Sequence, residues 1–269
     1  MKQPTLQKWV RIEDDREEVE RERTTRRRVV SLFDRHGIAV LPWADMGFEC
    51  TAYDCATAHG NGPAEADLTA SAAGHGTVRI ERVRLKDADD VRGCLGRIDD
   101  LAFVIAIPPC RDLCAAGARW WRKKRGRNPE FQKVAEEYLK QLYATLDNTG
   151  VPFIILVPSS PYIRRCFSRR AFAFSPHEFG GYLPPTSPHP LFREIPAQDA
   201  YTKRTLCFYG HGVRMPWKKA VPPTFHTIRL KSGRTKRVSP VMASRRNTAS
   251  RTSAPFAFCT AVASVNASV

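Results

Sequence analysis

The sequence has no apolar run approaching the roughly 18–20 residues that a membrane helix needs. Its opening, MKQPTLQKWVRIEDDREE, lacks the apolar core of a secretory signal. The expectation is a soluble, cytoplasmic protein with no membrane partner. No two of its eight cysteines, at 50, 55, 94, 110, 114, 166, 207 and 259, have the two-residue gap of a zinc knuckle or redox motif. Eight cysteines in 269 residues do not make a disulfide scaffold, and a reduced compartment fits best. Cys110 and Cys114 stand four apart, close enough to share a helix face, but no metal site is expected there. Acidic residues are absent after Asp199, while thirteen Lys and Arg follow. With a formal net charge of +16, this imbalance points to a polyanionic partner. Nucleic acid is the better explanation; a tail that only solubilises is the weaker one.

What is present organises around residues 101–121, LAFVIAIPPCRDLCAAGARWW. Leu101 to Ile107 has the length and branching of a buried parallel strand. Pro108 and Pro109 cannot continue a ladder, because they lack the amide donor. The chain must leave the sheet at its carboxyl edge, where open α/β sheets bind ligands. Cys110 arrives there with basic residues just after it, so its thiol is a candidate nucleophile. The competing reading is a cysteine that packs as a small hydrophobe.

The length suits one α/β domain with small appendages. Residues 1–28 read as a charged appendage without an apolar stripe, and 29–158 as the core. VVSLF (29–33) reads as a strand, DRHG (34–37) as a tight loop and 38–48 as a short helix with Pro42 in its first turn. ECTAYD (49–54) is a second strand ending in Asp54. Strand, glycine loop, helix, strand and terminal acid make a nucleotide-type opening, in which the acid accepts ribose hydroxyls. Residues 55–76 read as a long loop, 77–85 as a third strand and 85–100 as a turn and short helix.

Six of the nine residues from Arg119 to Arg127 are basic and surround Trp120 and Trp121. Cations interleaved with aromatics suit phosphates and stacked or extruded bases. Asn128-Pro129-Glu130 reads as a helix start. Phe131, Val134, Ala135, Tyr138, Leu139, Leu142 and Leu146 form that helix's core stripe. VPFIILVP (151–158) is another buried strand. Residues 159–224, proline-rich, read as an irregular substrate-gripping region with a possible strand pair in 199–212. Residues 225–269 read as a basic tail and a closing helix over 254–267.

Several of these motifs together resemble the DNA (cytosine-5) methyltransferases, especially a compact phage and prophage group. VVSLFDRHGIAVLPWADMGFECTAYD is similar to the opening S-adenosylmethionine motif, and IPPC to the proline–cysteine nucleophile motif. PPCRDLCAAGARWW, SPHEFGGYL, DAYTKRTLCFYGHGVRMP and RTSAPFAFCTAVASVN resemble later segments of the compact group, so the likeness spans about 29–266. It implies a Rossmann-like α/β methyltransferase fold, S-adenosylmethionine as cofactor and DNA as partner. It implies Cys110 as the catalytic nucleophile, with Phe33, Asp34, Gly37, Asp54 and Pro108 at the cofactor. Arg119, Arg122, Lys123, Arg164, Arg165, Lys203 and Arg204 are the candidate DNA contacts. The chain departs from the family at Leu156 and Val157, which stand where Glu-Asn is expected. Loss of such a general acid typically costs ~10²–10⁴ in rate. The alternative is therefore a catalytically degenerate methyltransferase-fold protein that binds DNA, and a third option is altered chemistry on a pyrimidine.

Overall fold

The computed structural model describes residues 27–55, 78–83, 85–167, 171–229, 232–243 and 254–267. The charged appendage expected over 1–28 and the loop expected over 55–76 fall outside these residues, apart from 27, 28 and 55.

β-Branched and aromatic runs supply a seven-stranded sheet. Its strands are β1 (Arg28–Leu32), β2 (Glu49–Cys55), β3 (Val78–Val83), β4 (Leu101–Ala106), β5 (Phe153–Pro158), β6 (Phe172–Phe174) and β7 (Thr205–Gly210). They lie in the order β3-β2-β1-β4-β5-β7-β6. β1 to β5 pair in parallel, and β7 runs antiparallel to both β5 and β6. The chain is thus an α/β protein with a mostly parallel central sheet, compatible with a Rossmann-like fold.

Period-two alternation sends Val29, Phe103, Ile105, Ile154 and Leu156 to one face. Val30, Leu32, Val104, Phe153, Ile155 and Val157 go to the other. Helices cover both faces, which is why these strands read as continuous apolar runs. On the first face lie α1 (Leu41–Ala44) and the closing helix, α7 (Phe256–Asn266). Their Trp43 and Phe258 are fully buried, and Phe258 stacks on Phe174 at 3.9 Å. On the second face lie α2 (Ala88–Leu95), α4 (Phe131–Asp147) and α5 (Pro161–Cys166). Between β4 and α4 runs α3 (Ala118–Arg127), which buries no residue. α6 (Pro240–Ala243) follows an exposed hairpin of β8 (His226–Arg229) and β9 (Thr235–Val238).

The structure differs from the sequence expectation in three places. Asn128 ends α3 rather than starting α4: its N–H bonds Lys124 O at 2.8 Å, and α4 begins at Phe131. Pro129 is the cause, since it forces Asn128 out of helical dihedrals (φ −147°, ψ 102°). Val134 is 60% exposed, because at about 100° per residue it falls at the margin of the stripe through Phe131, Leu139, Leu142 and Leu146. Within 159–224 the strand pair expected in 199–212 is a single strand there, β7, whose partners lie outside that stretch. Residues 159–224 supply β6 and β7, and Leu206, Cys207 and Phe208 are buried in succession because β7 is covered on both faces.

α7 is tied down through Asp199, which is 2% exposed and accepts from Ala257 N at 2.8 Å. Burial pushes the Asp199 carboxyl from 3.8 up to about 7. As pH rises from about 4 to about 7, the unfolded chain has released this proton while the folded chain keeps it. Folding stability therefore falls through that window and levels off above it. Asp199→Asn keeps an acceptor for Ala257 N but cannot ionise. Its melting temperature is expected to exceed that of the wild type at pH 8 by roughly 5 °C or more, and to match it near pH 4. Parallel curves from pH 4 to pH 8 would contradict a buried, titrating Asp199.

Candidate active site

Strand order reverses between β1 and β4: the path from β1 runs to β2 and β3 on one side, and the path from β4 runs to β5 on the other. Ligands of open α/β sheets bind in the crevice at the carboxyl end of such a switch point. The chain sends two loops there. One follows β1 and carries Phe33, Asp34 and Gly37. The other follows β4 and carries Pro108, Cys110 and Cys114. The last rung that joins them is Ile107 N to Leu32 O at 3.0 Å.

The β1 loop is built from constrained backbone. Phe33 has φ 64°, rare for a residue with a side chain, and its ring packs inward, edge-on to Tyr138 at 6.3 Å. Gly37 has φ 65°, and a Cβ there would stand 3.0 Å from Val78 Cγ1, so both dihedral and space demand glycine. Asp34 is 3% exposed. Its carboxylate accepts from Ala39 N at 2.9 Å and Ser31 Oγ at 3.2 Å, and burial raises its pKa. Asp34 therefore braces its own loop from within. Asp54, half-buried, lies near the end of β2, opposite Arg82 of β3. Pro108 is buried beside Cys110.

The β4 loop is clamped at four points. Ser160, the N-cap of α5, donates its hydroxyl to Leu113 O. Trp121 Nε1 donates to Arg111 O at 3.3 Å, Gln132 Nε2 donates to Asp112 O at 3.1 Å, and Lys124 pairs with Asp112. Gly117 lies against the same backbone, where a Cβ would fall 1.8 Å from Arg111 O.

Within this loop Leu113 N bonds Cys110 O at 3.0 Å and turns the chain, bringing Cys114 back to Cys110. The two side chains are hydrogen-bonded to each other. Cys110 is half-buried and Cys114 is 4% exposed. The hydrogen bond from Cys110, with further bonds from the backbone of Ala116 and Gly117 and the nearby Lys203 ammonium, lowers Cys114 to about 6. The Cys110 thiol is pushed well up, first by that same hydrogen bond and then by burial. The contact thus favours the thiolate on the Cys114 side of the pair. Lys203 is drawn down to about 8 by burial, against the opposing pull of the two thiols.

Among the expected DNA contacts, Arg119, Arg122 and Lys123 are exposed on α3, and the Arg119 guanidinium lies over Trp120 at 5.2 Å. Arg164 and Arg165 are exposed on α5, with Arg165 over Tyr162 at 4.9 Å. Trp121 meets Tyr162 edge-on at 5.5 Å and joins the two helices. Arg204 is exposed, and its carbonyl accepts from Ser159 N at 2.9 Å. Lys203, expected on the same surface, turns instead toward the thiols. The sequence placed Cys114 four residues from Cys110, close enough to share a helix face; the structure instead brings it back through the turn closed by Leu113 N on Cys110 O.

A cavity of about 340 Å³ lies at the opposite end of the sheet, lined by Arg27, Trp43, Phe48, Asp100 and Phe103 among others. It is far from the thiol chemistry in the fold, at the amino ends of β1 and β4. No family model matches the chain, and no curated protein matches it in sequence. No described helix is long and apolar enough to cross a membrane. Fold and site together define an α/β protein with a thiol pair and a lysine at the switch point of a mostly parallel sheet.

Proposed function

We propose that the chain is an S-adenosylmethionine-dependent DNA cytosine-5 methyltransferase of Rossmann-like methyltransferase fold, with Cys110 as its nucleophile. The observation that carries this reading is the meeting of the Cys110 loop and the nucleotide-type β1 loop at one switch point. Of the residues expected at the cofactor, Asp54 near the end of β2 suits the ribose and Pro108 lies on the facing loop, whereas Asp34 and Gly37 set the shape of the β1 loop and Phe33 turns its ring into the core. When bound, S-adenosylmethionine supplies the methyl group.

The protein's own residues handle the thiol and the proton. Cys110 Sγ bonds to carbon 6 of an extruded cytosine, and its proton passes to Cys114, the acceptor of its hydrogen bond. Carbon 5 thereby becomes nucleophilic. Once methylated, carbon 5 gives its proton to solvent water, the C5–C6 double bond re-forms and the C6–S bond breaks, and Cys110 leaves as a thiolate that takes its proton back from Cys114. Lys203 stabilises the anionic pair before and after. The exposed cations of α3 and α5 flank this edge and suit the DNA backbone.

A second reading, a degenerate DNA-binding protein, is favoured by β5. Leu156 and Val157 are buried in the two cores, so neither supplies an acid for the ring nitrogen. The experiment that separates the two is transfer of tritiated methyl from S-adenosylmethionine to duplex DNA, beside DNA affinity measured across salt. Label at cytosine carbon 5 supports the enzyme. Affinity that falls by about 0.9 log unit per log unit of salt for each phosphate contacted, without label, supports the binding protein.

A further inference from the structure

Cys110 and Cys114 touch each other, and that contact means more than activation of a nucleophile. The turn closed by Leu113 N on Cys110 O and the clamps from Ser160, Trp121 and Gln132 hold the two side chains in register. Of the seven cysteines whose side chains are described, Cys50, Cys94, Cys114, Cys166, Cys207 and Cys259 are buried, and Cys110 is accessible to solvent in part. The pair therefore has one accessible sulfur and one sheltered sulfur in hydrogen-bonding contact with it. Lys203 stands beside both and favours a thiolate. A four-residue gap is no sequence signature for a redox pair; the fold makes it one.

We propose that Cys110 and Cys114 form a redox-active dithiol that closes to a disulfide by exchange with a low-molecular-weight disulfide such as glutathione disulfide, withdrawing Cys110 from the site. In the first step Cys110 passes its proton to Cys114 and attacks one glutathione sulfur. The glutathione S–S bond breaks, and glutathione thiolate leaves. In the second step Cys114 gives its proton to that thiolate and attacks Cys110 sulfur, and the second glutathione thiolate leaves and takes a proton from water. Two protein thiols are oxidised and one glutathione disulfide is reduced to two thiols. The buried position of Cys114 protects it from outside attack but not from its neighbour. The proposal needs no cofactor or DNA and stands apart from methyl transfer.

The test is oxidation of the native full-length chain in graded glutathione buffers, followed by denaturation, alkylation with N-ethylmaleimide and peptide mass mapping. The expected result is joint loss of alkylation at Cys110 and Cys114, a linked peptide containing both, and recovery with dithiothreitol. Cys114→Ser is expected to stop at a stable Cys110–glutathione mixed disulfide. Cys110→Ser is expected to slow oxidation of Cys114 by about 10-fold or more. A wild-type mixed disulfide that persists on Cys110 with Cys114 still alkylated overturns the proposal. So does a native chain whose two thiols both survive excess glutathione disulfide. Both readouts come from the wild-type protein, so a variant that misfolds leaves the test intact, and neither depends on methyl transfer.

Discussion

Under the proposed methyltransferase mechanism, Cys110→Ala is expected to abolish methyl transfer to DNA, by about 10⁴-fold or more, with DNA affinity and its salt dependence nearly unchanged. In the proposed mechanism the thiol forms the bond to carbon 6, and the methyl side chain of alanine cannot. Cys114 is 4% exposed and sits behind Cys110. The basic side chains of α3 and α5 lie on helices whose positions do not depend on the Cys110 side chain, so binding survives. A half-buried Cys→Ala change also removes little volume, and the fold should melt within a few degrees of the wild type. The informative measurement is label transfer beside DNA binding on the same preparation. Transfer that survives the substitution excludes covalent catalysis by this thiol.

Gly117→Ala is expected to have the largest effect on the site's architecture. Its new Cβ would meet Arg111 O at 1.8 Å, Arg111 C at 2.6 Å and Arg111 Cα at 3.1 Å. All three are backbone atoms, so no rotamer change relieves the clash. The β4 loop or the turn before α3 must move, at a cost of about 3 kcal/mol. For a chain of this size that corresponds to a melting-temperature loss of roughly 5–10 °C. The displaced segment carries Arg111, one residue after Cys110, and Gly117 itself donates to Cys114 O at 3.0 Å. The contact between the thiols should therefore loosen and alkylation of Cys114 should accelerate. An unchanged melting curve with unchanged thiol reactivity would mean that the loop is not clamped as described.

Much of the sheet was legible from composition alone. The runs at 29–33, 101–107 and 151–158 are branched and largely apolar, and burial on both faces leaves little alternative to a parallel strand. The start of α4 was misplaced because an Asn-Pro-Glu triplet serves equally as the end of one helix, and only the dihedrals of Asn128 decide between them. β7 falls inside 199–212, where a strand pair was expected, but its partners were not foreseen, and β6 escaped notice because three residues make no pattern. β7 pairs with β5, and β6 pairs with β7 in turn; pairing across such distances along the chain is a tertiary fact.

The same division holds at the site. By itself the sequence determined that a proline pair must release Cys110 at a strand's carboxyl end, that a tight loop needs Gly37, and that the chain carries a large positive charge. Those are local matters of missing amides, forbidden dihedrals and formal charge. Only the tertiary structure decided that Cys114 returns to touch Cys110, that Lys203 leaves the basic surface to face both, and that Asp34 spends its carboxylate on its own loop. Contacts of this kind join residues 4 to 93 positions apart along the chain. They depend on how loops fold back over the sheet edge, which no periodicity along the chain encodes.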